Sequence, residues 1–197
     1  MKTLWLDVDG VLLDYTRPFL AFTGIDTLGI TYDNLFDYDL TKLFRSPDDC
    51  ELAMLRFAMS KDFDKLQAIA DVHDLATLKN MGYSLRVITQ LPAPPEAKKA
   101  RIRNLTQNFG AIFDAIVFTV PGQCKLELIQ QSHQPGERTI LVEDNPNLLR
   151  KADCQSHNIE VYAVGHPYNM DAIKDLNNVP VGHDFSRIAG WIVHDEL

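Results

Sequence analysis

Cysteine is scarce in this chain and never closely spaced. Cys50, Cys124 and Cys154 are the only three among 197 residues, and no CxxC occurs. That argues against both a disulfide framework and a cysteine zinc site. Positive charge is also short. With 19 Lys and Arg against 27 Asp and Glu the formal net charge is −8, so no nucleic-acid polymer is expected as a partner held by charge. No apolar run approaches membrane length, and no basic-then-apolar leader with a small-residue cleavage site opens the sequence. The expectation is a cytoplasmic, reduced protein without a membrane partner. The six histidines (His73, His133, His157, His166, His183, His194) show no metal-ligand spacing and are expected in surface or packing roles. Internal repeats and low-complexity tracts are absent too.

What is present is an ordinary globular composition, 46% hydrophobic and 23% charged, in a chain long enough for one α/β domain plus a modest insertion. Its organising stretch is Leu4-Trp5-Leu6-Asp7-Val8-Asp9-Gly10-Val11-Leu12. The short, mostly apolar run from Thr3 to Val8 has the pattern of a strand buried on both faces of a parallel sheet. It ends in two carboxylates two positions apart, which point the same way in an extended strand and converge where the chain leaves the sheet at Gly10. By itself such a sequence is also an ordinary polar turn.

Downstream the periodicity alternates. Strands are expected over Ser84–Ile88, with Thr89 at the carboxyl end, and over Ala115–Phe118, Thr139–Val142 and Ile159–Val164. Helices are expected over Val72–Leu78, closed by Gly82, over Glu96–Asn108 with a basic face including Lys98, Lys99, Arg101 and Arg103, from Lys125, from Asn145-Pro146, and over Phe185–His194. That basic face reads as solvated. Between residues 15 and 72 no clear strand occurs. Ser46-Pro47-Asp48-Asp49 starts a helix there, with Leu52, Leu55, Ala58 and Met59 as its apolar face, and the Tyr32–Asp39 segment reads as a surface loop. The expected architecture is α/β, a Rossmann-like parallel sheet of about five strands, with residues 1–14 and 73–197 as core and residues 15–72 as a helical insertion.

Four polar signals then fall at strand ends or in the loops after them: Asp7/Asp9, Thr89, Lys125 and Glu143/Asp144. Each has a bland reading, as a turn residue, a solvated lysine or an N-cap. At one edge of one sheet they suit phosphoryl transfer. An aspartate attacks phosphorus, and a second carboxyl gives and takes the proton. A lysine and a hydroxyl hold the equatorial oxygens, and a hard cation sits on carboxylates.

Asp7-Val8-Asp9-Gly10-Val11, Thr89, Lys125 and Glu143-Asp144 resemble the four motifs of the haloacid dehalogenase-like phosphatases. The resemblance implies Asp7 as nucleophile and Asp9 as general acid/base, with Thr89 and Lys125 on the phosphoryl group. It further implies Mg²⁺ on Asp7, the Asp9 backbone carbonyl, Asp144 and, directly or through water, Glu143, and it makes the insertion a C1-type cap. A narrower likeness is to the cytosolic 5′(3′)-deoxyribonucleotidases. It rests on Asp9-Gly10-Val11-Leu12 with Asp14-Tyr15, on Gly82-Tyr83-Ser84-Leu85, on Pro167-Tyr168-Asn169 and on Arg187-Ile188-Ala189-Gly190-Trp191. Glu143 and Gln90 depart from that subfamily's pattern. The likeness implies a nucleoside monophosphate substrate, with Tyr15 and Gln90 as substrate-binding residues and Tyr15 available to stack on a base. Sugar phosphates or other small phosphomonoesters are the alternative. A response-regulator receiver fits poorly because Lys125 precedes the last acidic pair, and a dehalogenase proper needs no acid at Asp9.

Overall fold

The computed structural model describes residues 1–91, 94–120, 122–154 and 158–196. His157 and the middle of the proline-rich loop after Leu91 fall outside them. Among the described residues six strands build one parallel sheet: β1 (Lys2–Leu6), β2 (Tyr83–Gln90), β3 (Ala115–Thr119), β4 (Arg138–Glu143), β5 (Glu160–Val164) and β6 (Val181–Gly182). Their order is β3-β2-β1-β4-β5-β6, so β1 is central, with Leu6 beside Val87 on one side and Val142 on the other. The connections run outward in both directions from β1. That makes the carboxyl end of β1 the point where such sheets open a crevice.

The central position explains the apolar run. Leu4 and Leu6, with Leu85, Val87, Ile140 and Val142, face a cluster closed by α3 (Val72–Asn80), α4 (Pro95–Phe109) and α8 (Phe185–His194). Trp5, Ile88, Leu141, Val161 and Ala163 face the other way, onto α5 (Lys125–Ser132), α6 (Pro146–Cys154) and α7 (Met170–Ile173). Helices start where side-chain oxygens meet the first free amides. Asp71 accepts from His73 N at 2.8 Å, and Asp184 from Arg187 N at 2.8 Å.

The insertion contains α1 (Thr16–Thr23), α2 (Pro47–Ala58) and short 3₁₀ turns, with no strand of its own. Ser46 caps α2 by accepting from Asp49 N at 3.1 Å. Its inward face, however, carries Cys50, Phe57 and Ala58, while Leu52, Leu55 and Met59 are exposed. Of the expected apolar face only Ala58 is buried. Phe57 is the larger side chain, and it joins Tyr15, Phe19 and Phe63 in an aromatic cluster that takes the inner position.

The sheet has six strands rather than about five. β6 is two residues long and α7 four, too short for any periodic signal in the sequence.

Candidate active site

Asp7 follows β1 directly, and its N–H still donates to the Val142 carbonyl at 3.0 Å, so the sheet ladder fixes where its side chain emerges. The chain then turns back on itself. The amides of Leu12 and Leu13 donate to the Val8 carbonyl at 2.9 and 2.8 Å, and Gly10 N donates to Leu13 O at 3.0 Å. Gly10 sits at φ +79°, and a Cβ there would stand 2.2 Å from Asp144 Oδ2. Only glycine lets the loop approach that carboxylate.

Lys125, the first residue of α5, is buried and bridges two carboxylates. Its Nζ lies 2.8 Å from Asp7 Oδ1 and 2.7 Å from Glu143 Oε2. Glu143 Oε1 in turn accepts from the amides of Asp144 and Asn145, both at 3.1 Å. Asp144 Oδ2 accepts from the Tyr168 hydroxyl at 2.9 Å, whereas its Oδ1 is buried without a hydrogen-bond partner. Carboxylate oxygens of Asp7, Glu143 and Asp144 lie within 4.8 Å of one another.

The electrostatics follow from one lysine facing three buried acids. Burial and the Glu143 charge push Asp7 above the usual carboxylate range, against the pull of Lys125. Burial, then Glu143 and Asp7, push Asp144 well above that range as well. Burial also opposes ionisation of Glu143, but Lys125 and its hydrogen bonds hold that group low. Lys125 is held strongly protonated by Asp7 and Glu143 despite burial. The orphaned Asp144 oxygen and the excess of negative charge fit a hard divalent cation, which takes carboxylate oxygens. Glu143 has both oxygens engaged, so the unpartnered Asp144 Oδ1 is the free ligand atom among them.

Thr89 is the penultimate residue of β2, 1% exposed, two residues beyond the pairing partner of Leu6. Its carbonyl accepts from Thr119 Oγ1 at 3.4 Å. Gln90 follows it and is exposed. Tyr15 is half-buried, stacked on Phe19 with ring centroids 5.5 Å apart and edge-on to Phe57 at 5.3 Å. One face of that ring is therefore already covered by the protein.

Several residues at the site were not legible as such. Arg101, read as part of a solvated helix face, is 0% exposed, and its Nη2 lies 2.7 Å from Asp9 Oδ1. The stripe Ala97, Ala100, Asn104, Leu105 and Phe109 is buried and runs through it, whereas the neighbouring Ile102 is exposed. Helical phase rather than polarity was the usable signal. Tyr32, from the segment read as surface, donates to or accepts from His166 Nδ1 at 2.7 Å. Tyr38 packs on Tyr168 at 6.1 Å. Burial, then the charges of Asp144, Glu143, Asp7 and Asp9, hold the Tyr38 phenol far above its ordinary range. Asn169 Nδ2 donates to the carbonyls of Asp144 and Val164 at 2.8 and 3.0 Å, fixing the acidic loop from beneath.

No family model and no curated protein matches the sequence. Solved structures do match in fold. A haloacid dehalogenase-like hydrolase from Streptococcus pneumoniae is 17% identical with a TM-score of 0.66, covering 96% of this chain and 97% of its own. The D,D-heptose 1,7-bisphosphate phosphatase from Burkholderia thailandensis is 15% identical (TM-score 0.58, covering 98% and 99%). The enzyme of that name from B. bronchiseptica, solved with magnesium and phosphate, is 14% identical (TM-score 0.59, covering 99% of each chain). The chain shares the Rossmann-like α/β fold of these hydrolases.

Proposed function

We propose that this chain, built on the fold of the haloacid dehalogenase-like hydrolases, is a Mg²⁺-dependent phosphomonoester hydrolase. The observation that carries the reading is Lys125 Nζ lying 2.8 Å from Asp7 and 2.7 Å from Glu143, beside the unpartnered Asp144 oxygen. Asp7 Oδ attacks phosphorus, the ester oxygen departs, and an aspartyl phosphate forms on Asp7. Asp9 gives its proton to the leaving oxygen. It then takes one from the water that hydrolyses the aspartyl phosphate, so both residues return to their starting state. Lys125 and the Thr89 hydroxyl hold the equatorial oxygens, where charge builds up in the transition state. Mg²⁺, held by Asp7, the Asp9 carbonyl and Asp144 with Glu143 beside it, would neutralise the carboxylates and the phosphate. The Asp7 side chain is nearly closed off, whereas that of Asp9 is 29% exposed, which suits a nucleophile fixed in place and an acid open to the leaving group.

For the substrate we propose a nucleoside monophosphate, with a deoxyribonucleotide first among candidates. The support is the likeness to the deoxyribonucleotidases together with aromatic residues of the insertion near the site, Tyr38 before Tyr15, whose ring is packed on Phe19 and Phe57. Gln90, exposed next to Thr89, is the second residue proposed to bind the substrate, with Tyr15.

A phosphate-release screen over nucleoside monophosphates, sugar phosphates and p-nitrophenyl phosphate, with Mg²⁺ and with excess chelator, tests both levels. Release that needs Mg²⁺ and is abolished in Asp7→Asn supports the hydrolase. Undiminished release in chelator overturns it. Sugar phosphates turned over far faster than every nucleotide would keep the hydrolase and discard the nucleotidase.

A further inference from the structure

Arg101 is the largest fully buried side chain among the described residues. It leaves α4, a core helix, and brings its guanidinium to Asp9. Nη2 lies 2.7 Å from Oδ1 and donates to Oδ2 at 2.9 Å. Its Nε and Nη1 are buried without hydrogen-bond partners, and the Phe63 ring lies 4.7 Å from the guanidinium carbon. A buried guanidinium with donors unspent is costly, and Asp9 is the group that offsets that cost here. If the Asp9 carboxylate swings away, Arg101 is left charged and unpaired. Asp9 is thereby pinned.

The helix that carries Arg101 is itself tied to the returning end of the insertion. Asn104, one turn on, donates to the Phe63 carbonyl. Asn108, a further turn on, donates to Leu66 O at 3.1 Å and accepts from Ala68 N at 3.1 Å. The same segment is bound to the loop that bears Asp9. Asp14 N donates to Gln67 O at 2.9 Å and Ile69 N to Leu12 O at 2.9 Å. Arg101 therefore projects from a helix hydrogen-bonded to the same segment that is hydrogen-bonded to the loop bearing Asp9.

We propose that Arg101 is a positioning residue for Asp9, fixing the carboxylate that exchanges the proton with the leaving oxygen and coupling its placement to the insertion through Phe63. The inference rests on the hydrolase reading above, with Asp9 as the acid. Arg101 touches no reacting atom; it acts through the direction in which Asp9 points. Both oxygens of that carboxylate lie within 2.9 Å of Arg101 Nη2, and the Asp9 side chain keeps 29% exposure.

The test compares Arg101→Lys and Arg101→Met with the parent enzyme on an alkyl phosphate, whose leaving group needs a proton, and on p-nitrophenyl phosphate, whose leaving group does not. Misplacing the acid by about 1 Å should lower kcat on the alkyl phosphate roughly 10²-fold, with KM changed by less than about threefold. The loss on p-nitrophenyl phosphate should be at least about tenfold smaller. In an Asp9→Asn background Arg101→Lys should add almost nothing, because the residue it serves is already disabled. Should Arg101→Met fail to fold, Arg101→Lys carries the comparison, its fold checked by circular dichroism and its melting temperature. Equal losses on both substrates, an additive loss in the Asp9→Asn background, or no loss at all would each overturn the positioning role while leaving the hydrolase intact. A parent protein that releases phosphate from neither substrate overturns the hydrolase, and this role with it.

Discussion

His166 Nε2 lies 2.6 Å from the Gly10 carbonyl, across 156 residues of sequence. A carbonyl only accepts, so Nε2 carries the hydrogen. The other nitrogen, Nδ1, then accepts from the Tyr32 hydroxyl at 2.7 Å. One imidazole thus joins the loop that carries Asp7 and Asp9 to the insertion, and it stacks on Tyr168, which holds Asp144. His166→Ala should cost about 2 kcal/mol, from two buried hydrogen bonds and the stack, and lower Tm by several degrees. Tyr32→Phe should cost about half as much. A melt unchanged in His166→Ala would show the bridge to be unimportant.

The same histidine makes a pH prediction. Burial lowers its pKa below the ordinary 6.5, against the Gly10 hydrogen bond and Asp14, with Arg17 adding to the depression. The folded state therefore binds fewer protons than the unfolded chain as pH falls through about 6.5. Stability should decline below that point, and His166→Phe should flatten this limb of a plot of Tm against pH.

A second acidic limb should come from the far end of the sheet. Glu196 accepts from Tyr83 at 2.8 Å and Arg138 at 2.6 Å and is paired with Lys2, which together hold its pKa at about 2, down from 4.5. A depressed carboxylate contributes stability that is present above its unfolded pKa and lost as pH drops from about 4.5 towards 2. Glu196→Gln should be less stable at neutral pH and should show a smaller fall across that window in thermal melts.

Divalent cation binding can be read without any turnover. Saturating Mg²⁺ at about 100 Kd should stabilise the fold by about 2.7 kcal/mol, raising Tm by roughly 5–10 °C. Asp144→Asn should abolish most of that shift, since it removes the unpartnered oxygen. A parent protein whose Tm ignores Mg²⁺ would count against the proposed metal site.

Gly10→Ala offers a local test of the loop. Its Cβ would stand 2.2 Å from Asp144 Oδ2 and 2.8 Å from the Tyr168 hydroxyl, at a φ of +79°. Backbone strain alone costs about 1–3 kcal/mol. Activity and the Mg²⁺ shift should fall together, measured by phosphate release and by melting.

Tyr15 and Tyr38 can be told apart in the same way. Tyr15→Ala should act mainly on stability, because its ring is stacked on Phe19 and edge-on to Phe57. Tyr38→Ala should raise the KM for nucleotides about tenfold if it loses about 1.4 kcal/mol of base stacking, with p-nitrophenyl phosphate affected much less. The reverse pattern would return the stacking role to Tyr15.

The local chemistry of the chain determined a good deal by itself. Leu4, Trp5 and Leu6 before Asp7 are apolar on both faces of the strand, a pattern that a strand covered on both sides requires, and β1 is such a strand. Ser46, Asp71 and Asp184 start helices because a short side-chain oxygen satisfies amides two or three residues on, an interaction that needs nothing distant. The order of Asp7, Thr89, Lys125 and Asp144 along the alternating elements already put them at one sheet edge. Tertiary structure decided what no local rule reaches. Arg101 and Leu55 each lie on an amphipathic helix, and only the packing partner says which side turns inward. Phe63 and Asp9 draw the arginine in, and Phe57 turns the leucine out. Likewise Tyr32, His166 and Gly10 are separated by long stretches of chain, and their hydrogen bonds exist only because the insertion folds back over the end of β1. A sequence encodes hydrogen-bonding capacity at each position. Which donor meets which acceptor across more than a hundred residues is set by how the layers pack.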